Sequence, residues 1–237
     1  MREFADRTID PHVVGFLNKP EAGNSNGLVL THGAGSNAQA PLLRALADAF
    51  ANTGYTVLRC NLPYRQARSF GPPGPSDAAR DRAGLKNAIA VLKNTLGAPL
   101  VPDVGRSGGF SGGSNDKARI FLGGHSYGGR QSSMLCAEEP DLVSGLLLLS
   151  YPLHPPRRPE QQRTQHLPDL RTPTLFVQGT RDPFGSIAEV ERAIKMIPAQ
   201  TNLLAIEGAG HDLGFKGKKE ELPKQIVSEF TAFFADS

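Results

Sequence analysis

The sequence predicts a single α/β domain, a mostly parallel sheet flanked by helices. Three observations predict it. Short apolar stretches of strand length alternate with segments whose apolar residues recur at helical spacing, the order that builds βαβ units. The run GLLLL, 145–149, is nearly all apolar, as expected of a parallel strand covered on both faces. At 237 residues the chain can bury one large core without requiring a second domain, and no internal repeat or boundary linker divides it.

The first 26 residues carry the weakest pattern, with HVVGFL, 12–17, reading as an edge strand. GLVLTHG, 27–33, is the first core strand and runs into a glycine turn. Segment 41–52 places Leu42, Leu46, Ala49 and Phe50 on one helical stripe, with Pro41 suited to a first turn and Gly54 to a C-terminal cap. YTVLRCNLPY, 55–64, reads as the second core strand. The Pro/Gly loop SFGPPGPSD then leads into a helix over 79–97, on which Leu85, Ile89, Leu92 and Leu96 repeat. The stretch SGGFSGGSND, 107–116, is Gly/Ser-rich and reads as a mobile surface loop. ARIFLGG, 118–124, is the third core strand, followed by a helix from about Gly129 to Glu138.

SGLLLLSYP, 144–152, is the fourth core strand and TPTLFVQGT, 172–180, the fifth. The helix that follows, 186–198, opens on a Ser-x-x-Glu capping box at Ser186 and Glu189 and is stopped by Pro198. TNLLAIEGAG, 201–210, is the sixth core strand. The closing helix, 222–237, turns Ile226, Phe230, Phe233 and Phe234 inward.

Composition excludes several function classes. Hydrophobic residues at 39% and charged residues at 21% are those of an ordinary soluble globular protein. A net charge of +3 is a weak case for nucleic acid, and the cations are scattered apart from Arg157, Arg158 and Lys216, Lys218, Lys219. No apolar segment approaches the roughly 20 residues of a membrane span, and the charged N-terminus lacks an apolar signal core. Two cysteines, Cys60 and Cys136, make no disulfide framework and read as reduced core residues, which favours the cytoplasm. Neither a metal nor a cofactor is expected. No cluster has metal-ligand spacing, and the glycine-rich stretches HGAGSN and GGHSYGG lack the endings of phosphate-binding loops.

Ligands of open parallel sheets bind beyond the carboxyl ends of the strands, and polar residues collect there in this chain. His32 and Gly33 follow the first core strand, Ser126 the third, Asp182 the fifth and His211 the sixth. A serine hydroxyl becomes a competent nucleophile when a base takes its proton. His211 is placed to be that base, and Asp182 to orient the imidazole. Asp212, adjacent to His211, and Asp169, before the fifth strand, are the competing acids.

Gly124-His125-Ser126-Tyr127-Gly128 matches a Gly-x-Ser-x-Gly nucleophile elbow with a strand before it and a helix after it. Together with THGAGSN, QGTRDPFG and GAGHDLGF, it resembles the α/β-hydrolase superfamily from about residue 27 onward. The fold expected is a single α/β-hydrolase domain, 1–237, with an N-terminal edge segment, 1–26, and a short lid-like segment, 153–170. Within the superfamily it is similar to the dienelactone-hydrolase-like proteins. The segments NLPYRQ and SYPLHPPRRPEQQR resemble the group of a testis-expressed protein and the third subunit of the non-specific lethal histone-acetyltransferase complex. Serine stands where dienelactone hydrolases use cysteine, so that activity does not carry over.

The resemblance implies an oxyanion hole from the amides of Ala34 and Tyr127. His32, Gly33, Arg65, His125 and His154 are candidate substrate contacts, although His32 and His125 read first as loop-orienting residues. Arg157 and Arg158 are further candidates for an anionic substrate. Only about 20 residues separate the fourth and fifth core strands, too few for a large lid. The expected activity is hydrolysis of a small soluble carboxylic ester, with thioester or amide less favoured, through an acyl-enzyme. The alternative is an interaction module on the same fold, since the resemblance includes a complex subunit; a carbon–carbon or haloperoxidase-type reaction on the same residues is a third reading.

Overall fold

Residues 1–23, 25–97, 118–215 and 221–235 are described by a computed structural model, and the Gly/Ser-rich stretch 107–116 lies outside them. Strands β1 (Arg2–Asp6) and β2 (Val13–Asn18) pair antiparallel, and β2 pairs antiparallel again with β4 (Thr56–Cys60). The remaining neighbours run parallel: β4 with β3 (Gly27–Thr31), then β5 (Ile120–His125), β6 (Gly145–Leu149), β7 (Thr174–Gly179) and β8 (Thr201–Ile206). Among the described residues the sheet has eight strands, in the order β1-β2-β4-β3-β5-β6-β7-β8.

Burial explains which stretches became strands. β3, β4, β6 and β7 are buried at every position, so their side chains satisfy helical layers on both faces. Alternation sorts them: Leu28, Leu30 and Val57 face α1 (Pro41–Asn52) and α6 (Glu221–Phe233). Val29, Leu58 and Cys60 face the opposite layer, built from α3 (Asp77–Leu96), α4 (Tyr127–Glu138) and α5 (Ile187–Ile194). Both cysteines are buried and unpaired, and burial pushes their thiols up to about 12.

Three elements differ from the sequence expectation. The strand expected at the edge is interior, because β1 covers it; β1 itself, REFAD, is charged and largely exposed, so it has no burial pattern to read. The strand expected over 55–64 ends at Cys60, and Pro63 opens a short helix, α2 (Pro63–Ala67), at the first-turn position proline favours. The helix after β5 starts at Tyr127 rather than Gly129. The Ser186 amide and hydroxyl both donate to the Glu189 carboxylate, at 2.9 and 2.7 Å, heading α5. Between β6 and β7 the chain forms only one short 3-10 turn, Leu167–Asp169.

From β3 the chain moves to β4 on one side and returns to β5 on the other. This reversal opens a crevice where the carboxyl ends of β3 and β5 lie side by side. On the far face an aromatic cluster closes the core: Phe230 is fully buried, with ring centroids 5.0 Å from Phe50, 4.9 Å from Phe121 and 4.6 Å from Phe234. Phe230→Ala is expected to cost about 3–5 kcal/mol of stability, read from urea unfolding.

Candidate active site

The site is organised by the turn between β5 and α4. Ser126 occupies it with φ 52° and ψ −117°, a backbone region that side-chain-bearing residues rarely adopt. Such strain costs on the order of 1–3 kcal/mol and persists where the surroundings over-determine it. Here the Ser126 amide donates to Leu149 O at 2.8 Å, and Ser126 O accepts the Arg130 amide at 3.0 Å. The turn is also too tight for neighbouring side chains. A Cβ on Gly124 would lie 2.5 Å from Gly129 N, and one on Gly128 would lie 2.6 Å from His32 O. The elbow is thus pressed against the end of β3.

Around Ser126 three side chains from three strand ends meet. His211 Nε2 lies 2.8 Å from Ser126 Oγ, and His211 Nδ1 lies 2.8 and 3.0 Å from the two Asp182 oxygens. The Asp182 side chain is fully buried and also accepts the Phe184 amide at 2.9 Å. A carboxylate on Nδ1 keeps the proton there and leaves Nε2 free to accept from the serine hydroxyl. Phe184 lies on the His211 ring, with centroids 4.1 Å apart and planes 32° from parallel. The rival acids are elsewhere: Asp212 accepts the Gly214 amide at 2.9 Å and Asp169 is exposed.

The loop after β3 supplies the remaining chemistry. The amides of Ala34 and Tyr127 have no hydrogen-bond partner among the described residues, and Tyr127 heads α4, where no turn precedes it. Gly33 faces the elbow; a Cβ there would lie 3.4 Å from Ser126 Cβ. Gly33 O accepts from the Ser36 amide at 3.0 Å and from His32 Nδ1 at 2.9 Å, with the Tyr64 hydroxyl 3.2 Å away. In a trans peptide the next N–H points opposite that carbonyl, so these bonds aim the Ala34 amide away from Tyr64. The loop is pinned further along, where Ala38 donates to Asn61 Oδ1 at 2.8 Å and accepts from Arg59 at 2.6 Å.

Three candidate substrate contacts are corrected. His32 is fully buried; its Nε2 accepts the Leu62 amide at 3.1 Å while Nδ1 holds Gly33 O, so both nitrogens serve the loop. Burial lowers its pKa to about 4. Arg65 is also buried, and its guanidinium donates to Ser36 O at 2.8 Å, Ala34 O at 3.0 Å and Gly71 O at 2.9 Å, so its fork is occupied by backbone. His154 is buried with Nδ1 2.8 Å from Pro155 O and Nε2 3.5 Å from Glu189, facing α5 rather than Ser126. His125 does border the site, donating from Nε2 to His211 O at 2.8 Å; burial lowers its pKa, and the neutral ring braces the His211 backbone. Arg157 and Arg158 are exposed. Sequence reasoning did not single out Tyr64 or Phe184, although NLPYRQ and QGTRDPFG contain them, because neither side chain has a role in proton transfer to mark it.

A family model described as an alpha/beta hydrolase domain matches residues 24–236. An alpha-beta serine hydrolase homologue from Coxiella burnetii superposes with a TM-score of 0.71 at 17% identity, covering 96% of each chain. A dienelactone hydrolase from Anabaena variabilis gives 0.70 at 22% identity, covering 98% of this chain and 97% of that one. A 48-residue stretch is 50% identical to polyketide synthase ThaQ of Burkholderia thailandensis, 20% of this chain and 2% of that protein's length.

His32 and His166 share one consequence. Burial lowers each to about 4, with the Arg130 and Arg82 cations adding to the effect at His166. Below about pH 6.5 the unfolded chain takes up protons that the folded imidazoles refuse until about pH 4. The urea midpoint is therefore expected to fall as pH drops through that window, and His32→Gln to give a lower but flatter profile.

Proposed function

This chain belongs to the α/β-hydrolase family, and from that premise we propose that it is a serine hydrolase cleaving small carboxylic esters through an acyl-enzyme. The observation that carries the proposal is the unbroken series from Ser126 Oγ through His211 to Asp182, with 2.8 Å at each step. In this reading Ser126 Oγ attacks the ester carbonyl carbon while its proton passes to His211 Nε2. Asp182 stabilises the imidazolium that forms. The carbonyl oxygen, now an oxyanion, accepts hydrogen bonds from the Ala34 and Tyr127 amides, each of which typically contributes about 10²–10³ in rate. Collapse expels the alkoxide, which takes the proton from His211. Water then repeats the sequence, releasing the acid and restoring Ser126.

The substrate is small because the chain between β6 and β7 builds no helical lid beyond the turn at Leu167–Asp169. Arg65, turned onto backbone carbonyls, offers no charge to an acidic acyl group. We place the chain near the testis-expressed and non-specific-lethal-subunit group on NLPYRQ and SYPLHPPRRPEQQR, and its setting in the cytoplasm. Within the described residues no helix is long and apolar enough to cross a membrane.

A fluorophosphonate tests the reading. Mass spectrometry is expected to find the adduct on Ser126, absent in Ser126→Ala and strongly slowed in His211→Ala. Turnover of p-nitrophenyl acetate should fall by about 10⁴-fold or more in either variant. A folded wild-type protein that takes no label at neutral pH would instead favour an interaction module.

A further inference from the structure

Asp81 lies in the second turn of α3 and is fully buried, yet it forms no ion pair among the described residues. A buried carboxylate without a cation has to be stabilised by hydrogen bonds. Two are present: Oδ1 accepts the Tyr64 amide at 3.0 Å and Oδ2 accepts the Tyr127 hydroxyl at 2.8 Å. Burial still holds the Asp81 pKa above its ordinary value, the two hydrogen bonds opposing it.

The identity of the two donors gives the residue its meaning. Tyr127 contributes one amide of the oxyanion site from its backbone, while its side chain ends on Asp81. Tyr64 contributes no amide to that site, but its hydroxyl lies 3.2 Å from the carbonyl of Gly33, whose peptide carries the Ala34 amide, and 2.9 Å from the carbonyl of Ala34. The two tyrosine rings meet edge to face, with centroids 5.8 Å apart and planes at 89°. One carboxylate thus ties together the segments that carry both donors. These segments come from the ends of β3 and β5 and share no backbone hydrogen bond beyond their strands.

We propose that Asp81 is the positioning residue of the oxyanion site, setting the separation of the Ala34 and Tyr127 amides through Tyr64 and Tyr127; this rests on the serine-hydrolase reading. A carboxylate suits the task because it accepts from both donors at once. Asparagine can accept from the Tyr64 amide and donate to the Tyr127 hydroxyl, which can rotate to receive it. Alanine leaves both donors unpaired and a void behind them.

The test compares Asp81→Ala, Asp81→Asn and Tyr127→Phe on p-nitrophenyl acetate, with active sites counted by exhaustive fluorophosphonate labelling and a trifluoromethyl ketone as transition-state mimic. In Asp81→Ala, kcat per labelled site is expected to fall on the order of 10²-fold with KM nearly unchanged, the cost of misplacing a donor by about 1 Å. Ketone affinity should weaken by the same factor as kcat/KM, and Asp81→Asn should recover most of the loss. A lower melting temperature with kcat per labelled site unchanged would reduce Asp81 to a packing residue and overturn the proposal. Should Asp81→Ala fail to fold, Tyr127→Phe decides the matter: it keeps the backbone amide, so a lowered kcat supports the role and an unchanged kcat overturns it. A wild type that neither labels nor turns over ester overturns the hydrolase reading and this role together. A labelled, active wild type whose variants keep full kcat overturns only the role of Asp81.

Discussion

A serine held in a left-handed turn is the constraint on which the rest of this site depends. Ser126 at φ 52° lifts its side chain above the sheet, and the conformation survives only where nothing crowds it. Gly124 and Gly128 remove the two side chains that would collide, one with α4 and one with the end of β3. The second contact matters twice. Because His32 O sits directly against Gly128, the elbow and the loop Gly33–Ser36 are set together, with Gly33 facing the serine.

Polar residues near the crevice act mainly on the protein itself. His32, Tyr64 and Arg65 all face the carbonyls of the β3 loop, and His125 faces the carbonyl of His211. In the reaction proposed above their common effect is preorganisation: carbonyls engaged on one side leave amides directed to the other, with no rearrangement needed as charge develops. Keeping His32 neutral belongs to the same design, since it must donate from one ring nitrogen while accepting at the other. Asp81 extends this scaffold inward to α3, coupling the loop to the first residue of α4.

Much of this was legible in the sequence where burial and strand ends speak through pattern. The core strands from β3 to β7 stand where apolar runs predict them, because both-sided burial leaves nearly continuous hydrophobic stretches, and the half-buried edge strand β8 stands where TNLLAI predicts it. β1 was not legible, since an exposed, charge-rich strand resembles a loop, and α2 was hidden because Leu62 and Tyr64 continue an apolar run past Cys60. Ser126, Asp182 and His211 could be paired in advance because each follows its own strand, and topology alone brings such ends together. Side-chain direction is a different matter. His32, Arg65 and His154 lie near the crevice, but whether an imidazole or guanidinium faces substrate or backbone is decided by long-range hydrogen bonds that no local pattern encodes. Asp81 was the least legible, because an acidic residue between Arg80 and Arg82 on the helix predicted over 79–97 carries no local sign of burial.

The most direct test of the arrangement is a crystal structure of the fluorophosphonate adduct. Its phosphoryl oxygen should accept hydrogen bonds from both the Ala34 and Tyr127 amides, at about 2.7–3.1 Å, with the Tyr64–Gly33 and Tyr127–Asp81 contacts unmoved. A phosphoryl oxygen turned away from those amides, or a β3 loop that must rearrange to meet it, would contradict a preformed oxyanion site.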